Sequence, residues 1–140
     1  MELFAEFIKK YSINKEEDAR LLSPVVLAYV GDAVFEVFVR IFLISEGETR
    51  ASELQRKSIL FVKAKSQADI LKNISDKLTE EEHEIVRRGR NVKPNSPPKN
   101  ADIMDYRYAT GFESLIGFLY LSKNHERLLE IMDASLNCVN

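Results

Sequence analysis

Apolar residues recur every three or four positions along nearly the whole chain, and no clean stretch alternates with a period of two. The first spacing places apolar side chains on one face of an α-helix, whereas a half-buried strand requires the second. Glycine and proline are scarce, with five and four copies, so few positions break the helical pattern. The sequence therefore predicts an all-α fold, and a length of 140 residues suits a single domain, 1–140, with one hydrophobic core.

Start and stop signals predict two long helices in the first half of the chain. Ser23 followed by Pro24 has the pattern of an N-cap and a first-turn proline, which predicts a helix from Pro24 to about Gly47. Its side chains are mostly apolar, as expected for a helix that is packed on most sides. Thr49 is the expected N-cap of the next helix, over roughly 50–75, which a break near its end can interrupt.

The second half of the chain contains a capping box and a proline-rich segment. Thr79 and Glu82 form the box, which opens a helix that ends in the sequence RRG, with Gly89 as the first residue after the helix. Three of the four prolines lie in residues 90–104, which we expect to be a loop. The remaining apolar repeats predict helices over 2–11, 15–22, 105–122 and 124–137.

Composition and charge favour a soluble protein, and the cytoplasm is the expected compartment. A net charge of −2 gives no general attraction to nucleic acid, so any basic surface must be local. The most hydrophobic window, residues 24–44, carries Asp32, Glu36 and Arg40, which argues against a membrane span. The single cysteine, Cys138, cannot form an internal disulfide, as is typical of a reducing compartment.

Each of the two most apolar helices carries one narrow polar line. On the first helix, residues spaced by four lie on one face: Ala28, Asp32, Glu36 and Arg40. On the second helix, residues at i, i+3 and i+7 do the same: Thr110, Glu113 and Gly117. If the two lines face each other, Asp32 and Glu113 share one site.

Two explanations of these carboxylates remain open at this stage. A structural cation such as Arg40 or Arg107 can pair with either one, although the desolvation of a buried ion pair offsets much of the attraction. Two carboxylates that converge without a cation instead favour a divalent metal with oxygen ligands, such as Mg²⁺. Glu36 lies one turn beyond Asp32 and is better explained by a surface pair with Arg40 than by a role behind the metal ligands.

Three segments resemble the catalytic domain of the ribonuclease III family. YVGDAVFE, residues 29–36, resembles the family signature E-x-x-E-[FY]-[LV]-G-D-[AS]-[VI]-L, and YATGFESLIGFLYL, residues 108–121, resembles the second motif D-x-x-E-[AS]-L-[IV]-G-[AS]-[IL]-Y-L. Between them, EGETRASELQRKSILFVKAKSQADIL resembles the family's central helix after its Glu-Gly turn. The match covers about residues 20–125 in order, and it implies the helical fold of the ribonuclease III endonuclease domain.

The chain departs from the family pattern at three acidic positions. Val25 and Ala28 stand where the signature has glutamates, and Thr110 stands where the second motif has an aspartate. Of the four acidic residues that the family gathers around its metal, only Asp32 and Glu113 remain. The resemblance implies that these two are catalytic and hold Mg²⁺, and it leaves open whether one or two ions bind.

One branch of the family, the Mini-ribonuclease III proteins, has the catalytic domain without a double-stranded-RNA-binding domain. The segments RRGRN, AKSQA and PKNADIMDYRYATGFE are typical of that branch. The resemblance implies a bacterial, homodimeric, Mg²⁺-dependent endoribonuclease that matures the double-stranded ends of precursor 23S ribosomal RNA, leaving 5′-phosphate and 3′-hydroxyl ends. A ribosomal protein that presents the substrate is a further candidate partner. The alternatives are a non-catalytic RNA- or ribosome-binding module on the same fold and a helical dimerisation scaffold.

Residues 87–99 are the most basic segment of the chain. They contain five cations and no acid: Arg87, Arg88, Arg90, Lys93 and Lys99. A helix C-terminus explains only the first two of these, because cations there complement the helix dipole. The other three lie on a proline-stiffened segment that leads to the helix of Glu113, so we expect the five to contact the phosphates of double-stranded RNA, which is recognised by shape and backbone.

Overall fold

The computed structural model describes residues 2–11, 16–93 and 102–139. These ranges contain α-helices and one turn of 3-10 helix, and no β-strand lies within them, so the all-α prediction is confirmed. The helices, in chain order, are α1 (Glu2–Lys10), α2 (Glu16–Leu21), α3 (Pro24–Ser45), α4 (Ala51–Val62), α5 (Ala64–Ile74), α6 (Glu80–Arg90), α7 (Ile103–Leu121) and α8 (His125–Asn137).

Two of the predicted helix starts are confirmed in detail. The Ser23 hydroxyl accepts a hydrogen bond from the N–H of Val26 at 3.3 Å, and Pro24 occupies the first turn of α3. At the start of α6, the Thr79 hydroxyl accepts from the N–H of Glu82 at 3.1 Å, and the Glu82 carboxylate accepts from the N–H of Thr79 at 2.9 Å. In each helix, therefore, the side chain of the N-cap residue satisfies one N–H group of the first turn.

The prediction for the segment after α3 is wrong in two respects. The chain breaks in the middle of the expected helix, at Lys63, whose extended backbone (φ −65°, ψ 151°) separates α4 from α5. The N-cap of α4 is Arg50 and not Thr49, and it makes no side-chain cap bond. Instead the Glu48 carboxylate accepts hydrogen bonds from the N–H groups of Thr49 and Arg50, both at 3.1 Å, so it satisfies the backbone just before the helix.

Gly89 is not the residue after α6, as its sequence context predicts, but lies inside the helix. It packs directly on α7, because a Cβ at Gly89 would lie 2.6 Å from the Ser114 hydroxyl oxygen and 2.8 Å from the Cα of Gly111. The glycine therefore serves close helix packing and not a left-handed turn. The loop predicted over 90–104 lies partly outside the described residues, and α7 begins within that range, at Ile103.

α7 is the centre of the fold. It packs against α3, α5 and α6, and most of its side chains are buried. The ring of Phe35 on α3 meets the ring of Phe112 on α7 edge-on, with centroids 5.1 Å apart. α3 is less enclosed than its sequence predicts, because one side stays open in the single chain and exposes Tyr29, Val37 and Ile41. Even so, none of the helices in the described ranges is long and apolar enough to cross a membrane.

Two glycines let α3 and α7 cross with their backbones in contact. A Cβ at Gly31 would overlap the carbonyl oxygen of Glu113 and lie 2.9 Å from the backbone nitrogen of Gly117. A Cβ at Gly117 would overlap the carbonyl oxygen of Leu27. No other residue type fits at either position, so the crossing fixes how close Asp32, the neighbour of Gly31, comes to Glu113.

Candidate active site

Asp32 and Glu113 line one cleft, whose walls come from α3, α5 and α7. The cleft has a volume of about 560 Å³ and is open to solvent. Asp32 is exposed at its mouth, whereas Glu113 is half-buried. The side chains around the two acids include Val25, Ala28, Tyr29, Gln67, Lys93 and Thr110. The two polar lines predicted from the sequence therefore do face each other.

The environment of Glu113 opposes its negative charge. Burial raises the pKa of its carboxyl to about 9, together with a hydrogen bond to Asp32 and the charge of that residue. A hydrogen bond from the Gln67 side chain acts in the opposite direction, and the charge of Glu36 adds to the rise. The raised pKa of Glu113 indicates that this carboxyl lacks a compensating positive charge in its surroundings.

The structural cations that the sequence offers do not meet this demand. Arg40 pairs with Glu36, with its Nη2 3.0 Å from the carboxylate oxygen, so the surface-pair interpretation of Glu36 is confirmed. Arg107 forms no ion pair in the part of the chain that the structure describes, and its Nε is buried without a hydrogen-bond partner. Within the same ranges no lysine or arginine pairs with Asp32 or Glu113.

Comparisons with known proteins decide the family. The sequence model of the family described as Ribonuclease III domain matches residues 25–124, most of the chain. The chain belongs to the ribonuclease III family. Proteins named Mini-ribonuclease 3 from Clostridium tetani and Thermoanaerobacter sp. are 46% and 42% identical to it, over 93% and 95% of this chain and 89% and 94% of theirs.

A solved structure supports the same assignment. A crystal structure of a protein from Fusobacterium nucleatum, 32% identical, matches with a TM-score of 0.76 over 86% of this chain and 96% of that chain. The resemblance to the Mini-ribonuclease III branch is therefore confirmed, and so is the ribonuclease III fold. The chain is an endoribonuclease of a family that acts on double-stranded RNA and depends on divalent metal ions, which favours the nuclease over the non-catalytic module and the scaffold.

The three positions where the chain departs from the family pattern all line the cleft. Val25, Ala28 and Thr110 contribute an apolar wall and one hydroxyl where the family has carboxylates. The Thr110 hydroxyl donates to the carbonyl oxygen of Tyr106 at 3.0 Å, so its proton is committed to the backbone of α7. The described residues contain no cluster of three acidic, histidine or cysteine side chains that could hold a metal, which leaves Asp32 and Glu113 as a pair.

The cations expected to contact RNA divide into different environments. Lys93 lines the cleft itself, beside the two acids. Arg88 donates to the carbonyl oxygens of Arg20 and Leu22 at 3.4 and 3.5 Å, so it ties α6 to the segment before α3. Arg87 pairs with Glu84, and Lys99 lies outside the described residues.

Arg90, the last residue of α6, lines a second, smaller cavity. The cavity has a volume of about 320 Å³, and Lys72, His83 and Tyr108 are among the residues around it. The Nζ of Lys72 lies 5.5 Å from the centre of the Tyr108 ring. Arg90 and Lys93 therefore carry positive charge from this cavity to the cleft of Asp32 and Glu113.

Sequence reasoning missed Gln67 as a residue of the site. The segment AKSQA indicates only the family branch. Glutamine is common on exposed helix faces, so the residue type alone does not predict a role in the site. The structure buries Gln67 to 1% exposure and places it on the wall of the cleft that Glu113 also lines. A signal was present in the apolar repeat of α5, since Gln67 lies one turn before Leu71, which is buried.

Proposed function

We propose that this chain is a Mg²⁺-dependent endoribonuclease that cleaves double-stranded RNA, with Asp32 and Glu113 as its catalytic and metal-binding residues. One observation carries the proposal: two carboxyl groups converge in an open cleft, and no lysine or arginine forms an ion pair with either of them in the described part of the chain. Carboxylate oxygens are the ligands that Mg²⁺ prefers, and the ion usually keeps several waters when proteins offer only one or two carboxylates. A sparse pair of ligands therefore fits this ion.

The roles of the two acids follow from their positions. Asp32 is exposed at the mouth of the cleft, and Glu113 is half-buried, so one carboxylate from each helix would hold the ion. A bound Mg²⁺ supplies the charge that polarises a phosphodiester oxygen and lowers the pKa of a water. Asp32 and Glu113 orient that ion toward the substrate, and hydrolysis leaves 5′-phosphate and 3′-hydroxyl ends.

The RNA is held by the basic residues beside the cleft. We assign backbone contacts to Arg87, Arg88, Arg90, Lys93 and Lys99. Lys93 supports this most directly, because a cation on the wall of the cleft can pair with the phosphate next to the one that is cut. Arg90 lies farther along the same side and extends the positive surface. Such contacts recognise the duplex through its backbone and not through its bases.

We further propose that the enzyme is a homodimer. One side of α3 presents apolar side chains to solvent in the single chain: Val26, Tyr29, Val37, Ile41 and Ile44. Tyr29 is 81% exposed, although it belongs to the most apolar helix of the sequence. A contiguous apolar patch of this kind marks a protein interface, and a second copy gives two clefts and paired cuts.

The biological substrate that we propose is the double-stranded end of precursor 23S ribosomal RNA, processed in the cytoplasm. The support is the 46% identity to a Mini-ribonuclease 3 together with the branch motifs in the sequence. A ribosomal protein is a candidate partner that presents this RNA to the cleft.

The experiment is cleavage of a duplex RNA by the pure protein with and without Mg²⁺. We expect cutting only with the metal, and we expect Asp32→Asn to lower the rate by about 1,000-fold because a charged group at the reacting centre is lost. Asp32 is exposed, so its substitution should leave the thermal unfolding midpoint nearly unchanged.

Glu36→Gln is the matched control, since Glu36 lies one turn away on the same line but pairs with Arg40. It should cleave within about threefold of the wild type, as expected for a surface pair. Cleavage without divalent metal, or cleavage by Asp32→Asn at the wild-type rate, would contradict the assignment. A precursor 23S end cut no faster than an unrelated duplex, with or without ribosomal proteins, would contradict the proposed substrate alone.

A further inference from the structure

We propose that Gln67 is a positioning residue that holds the Glu113 carboxylate in the orientation from which it binds the metal. The inference rests on the proposed function, because it assigns a role to Gln67 through a proposed metal ligand. Gln67 itself touches neither the substrate nor the reacting atoms in this assignment. Its contribution is the geometry of the one acid that lies deep in the cleft.

The burial of Gln67 is unusual for its residue type. Gln67 is 1% exposed and lies on the inner face of α5, where Ala68, Ile70, Leu71 and Ile74 are also buried. Burying an amide without hydrogen bonds costs free energy that an apolar residue of similar size does not. The Gln67 side chain therefore needs a partner to be compatible with this position.

Glu113 is that partner. The two side chains line the same cleft, and the Gln67 amide favours the charged form of the Glu113 carboxyl, as a hydrogen-bond donor does. The Gln67 amide group also leaves no unsatisfied buried atom there. A wholly buried amide on the wall of the cleft that holds the candidate metal ligand indicates a role at the site and not general packing.

The break between α4 and α5 places Gln67 where it can reach Glu113. The extended backbone of Lys63 ends α4, and α5 starts again with Ala64, which also lines the cleft. The backbone N–H of Gln67 donates to the Lys63 carbonyl at 3.1 Å, so Gln67 belongs to the first turn of the new helix. A continuous helix through Lys63 would run in a different direction and would carry this side chain elsewhere.

A held carboxylate matters more in this chain than in a site rich in acids. Two neutral residues, Ala28 and Thr110, replace carboxylates in the wall, so each remaining ligand must be well oriented. Asp32 repels a charged Glu113, whereas the Gln67 amide favours that charged form, so the amide limits how far Glu113 can turn away. Hydrogen-bond partners of metal ligands typically change metal affinity by about 10- to 100-fold when they are removed.

The test is Gln67→Leu, with Mn²⁺ binding measured directly by electron paramagnetic resonance on the RNA-free protein. We expect the Kd for Mn²⁺ to rise by about 10- to 100-fold. The Mg²⁺ concentration for half-maximal cleavage should rise in proportion, whereas kcat at saturating Mg²⁺ should recover to within a few-fold. Metal-free affinity for duplex RNA should not change, because Gln67 is buried.

Gln55→Leu is the matched control, since it makes the same replacement at an exposed position of α4. Gln67→Met is a second variant, because its unbranched side chain has nearly the length of glutamine and guards against a misfit of leucine. A folded Gln67→Met or Gln67→Leu with wild-type Mn²⁺ affinity would overturn the inference. If the wild type itself neither binds Mn²⁺ nor cuts, the proposed function fails first, and the two failures are thereby distinguished.

Discussion

Two glutamates of this protein lie in shielded positions and meet opposite surroundings. Glu82 on α6 has a side chain 5% exposed, and Arg127 donates to its two oxygens, each at 2.8 Å. Burial raises the pKa of Glu82, but the hydrogen bonds from Arg127 and Thr79 outweigh it, so the pKa lies below its ordinary value. Glu113 on α7 faces a second carboxyl group, and its pKa rises to about 9.

The difference separates a carboxylate that the fold pairs with a cation from one that it does not. Glu82 closes the capping box of α6, and Arg127 also donates to the Lys77 carbonyl at 2.7 Å, so every group in that cluster has a partner within the fold. Glu113 pairs with no cation among the residues that the structure describes, and the Gln67 amide is the group there that favours its charged form. Charge that the fold leaves unbalanced in an open cleft is available to a ligand.

The largest expected effect is the contrast between Glu82→Gln and Glu113→Gln. Glu82→Gln should lower the free energy of unfolding by about 3 kcal/mol, because it breaks a shielded ion pair, and it should leave the cleavage rate of the folded protein within about threefold of the wild type. Glu113→Gln should lower cleavage by about 1,000-fold without lowering stability at pH 7, since Glu113 is already protonated there. Urea unfolding and duplex cleavage measure the two. Loss of cleavage in a folded Glu82→Gln variant would contradict the purely structural role of Glu82.

The next largest expected effect is that the contributions of Glu82 and Glu113 to stability depend on pH in opposite directions. A carboxyl with a lowered pKa stabilises the fold above its unfolded value of 4.5, and that contribution disappears as the pH falls, so the stability lost in Glu82→Gln should shrink in acid. A carboxyl with a raised pKa favours the fold most below 4.5, and the contribution disappears as the pH rises toward about 9. The metal-free wild type should therefore lose stability relative to Glu113→Gln between pH 5 and about pH 9.

These pH dependences are tested by measuring the thermal unfolding midpoints of the wild type, Glu82→Gln and Glu113→Gln in chelator over this pH range. If the unfolding midpoints of the wild type and Glu113→Gln changed with pH in parallel, the pKa of Glu113 would not be raised as the structure indicates. Asp32→Asn is the control variant. It removes the negative charge that Glu113 faces, so its stability should fall less than that of the wild type as the pH rises.

The smallest expected effect extends the comparison to cations. Arg90→Ala should weaken binding of duplex RNA a few-fold and lower the slope of log Kd against log salt by about one, with unchanged stability. Arg88→Ala should also weaken binding, but it should lower the free energy of unfolding by about 1 kcal/mol as well, because it loses its bonds to the Arg20 and Leu22 carbonyls. Filter binding over a salt series and urea unfolding separate the two. Equal free energies of unfolding for Arg88→Ala and Arg90→Ala would contradict a structural role of Arg88.

Much of this site is predictable because it depends on local periodicity. The four-residue spacing that places Asp32 on one line of α3 and the matching line of Glu113 on α7 are properties of each helix alone. The Ser23 and Thr79 caps are equally local, since each satisfies backbone groups within three residues. These are the features for which the prediction and the structure agree.

The incorrect or missed predictions concern residues whose environment depends on helices that are distant in the sequence. Gly89 has the context of a helix end, but the backbone of α7 beside it keeps it inside the helix. The break at Lys63 has no proline or glycine near it in the sequence, so no local signal predicts it. Gln67 and Arg127 look like surface residues in the sequence, and only the neighbouring helices show what they bind.

The crossing at Gly31 and Gly117 has a consequence for redesign of this enzyme. Main-chain contact sets the separation of the two acids, so most of the hydrophobic interior can be exchanged without moving them. Ala28 and Thr110 stand outside that contact, on the cleft wall, and can be changed independently. The metal-binding strength of such a nuclease is therefore adjustable by adding carboxylates at these two positions, while the two glycines stay invariant.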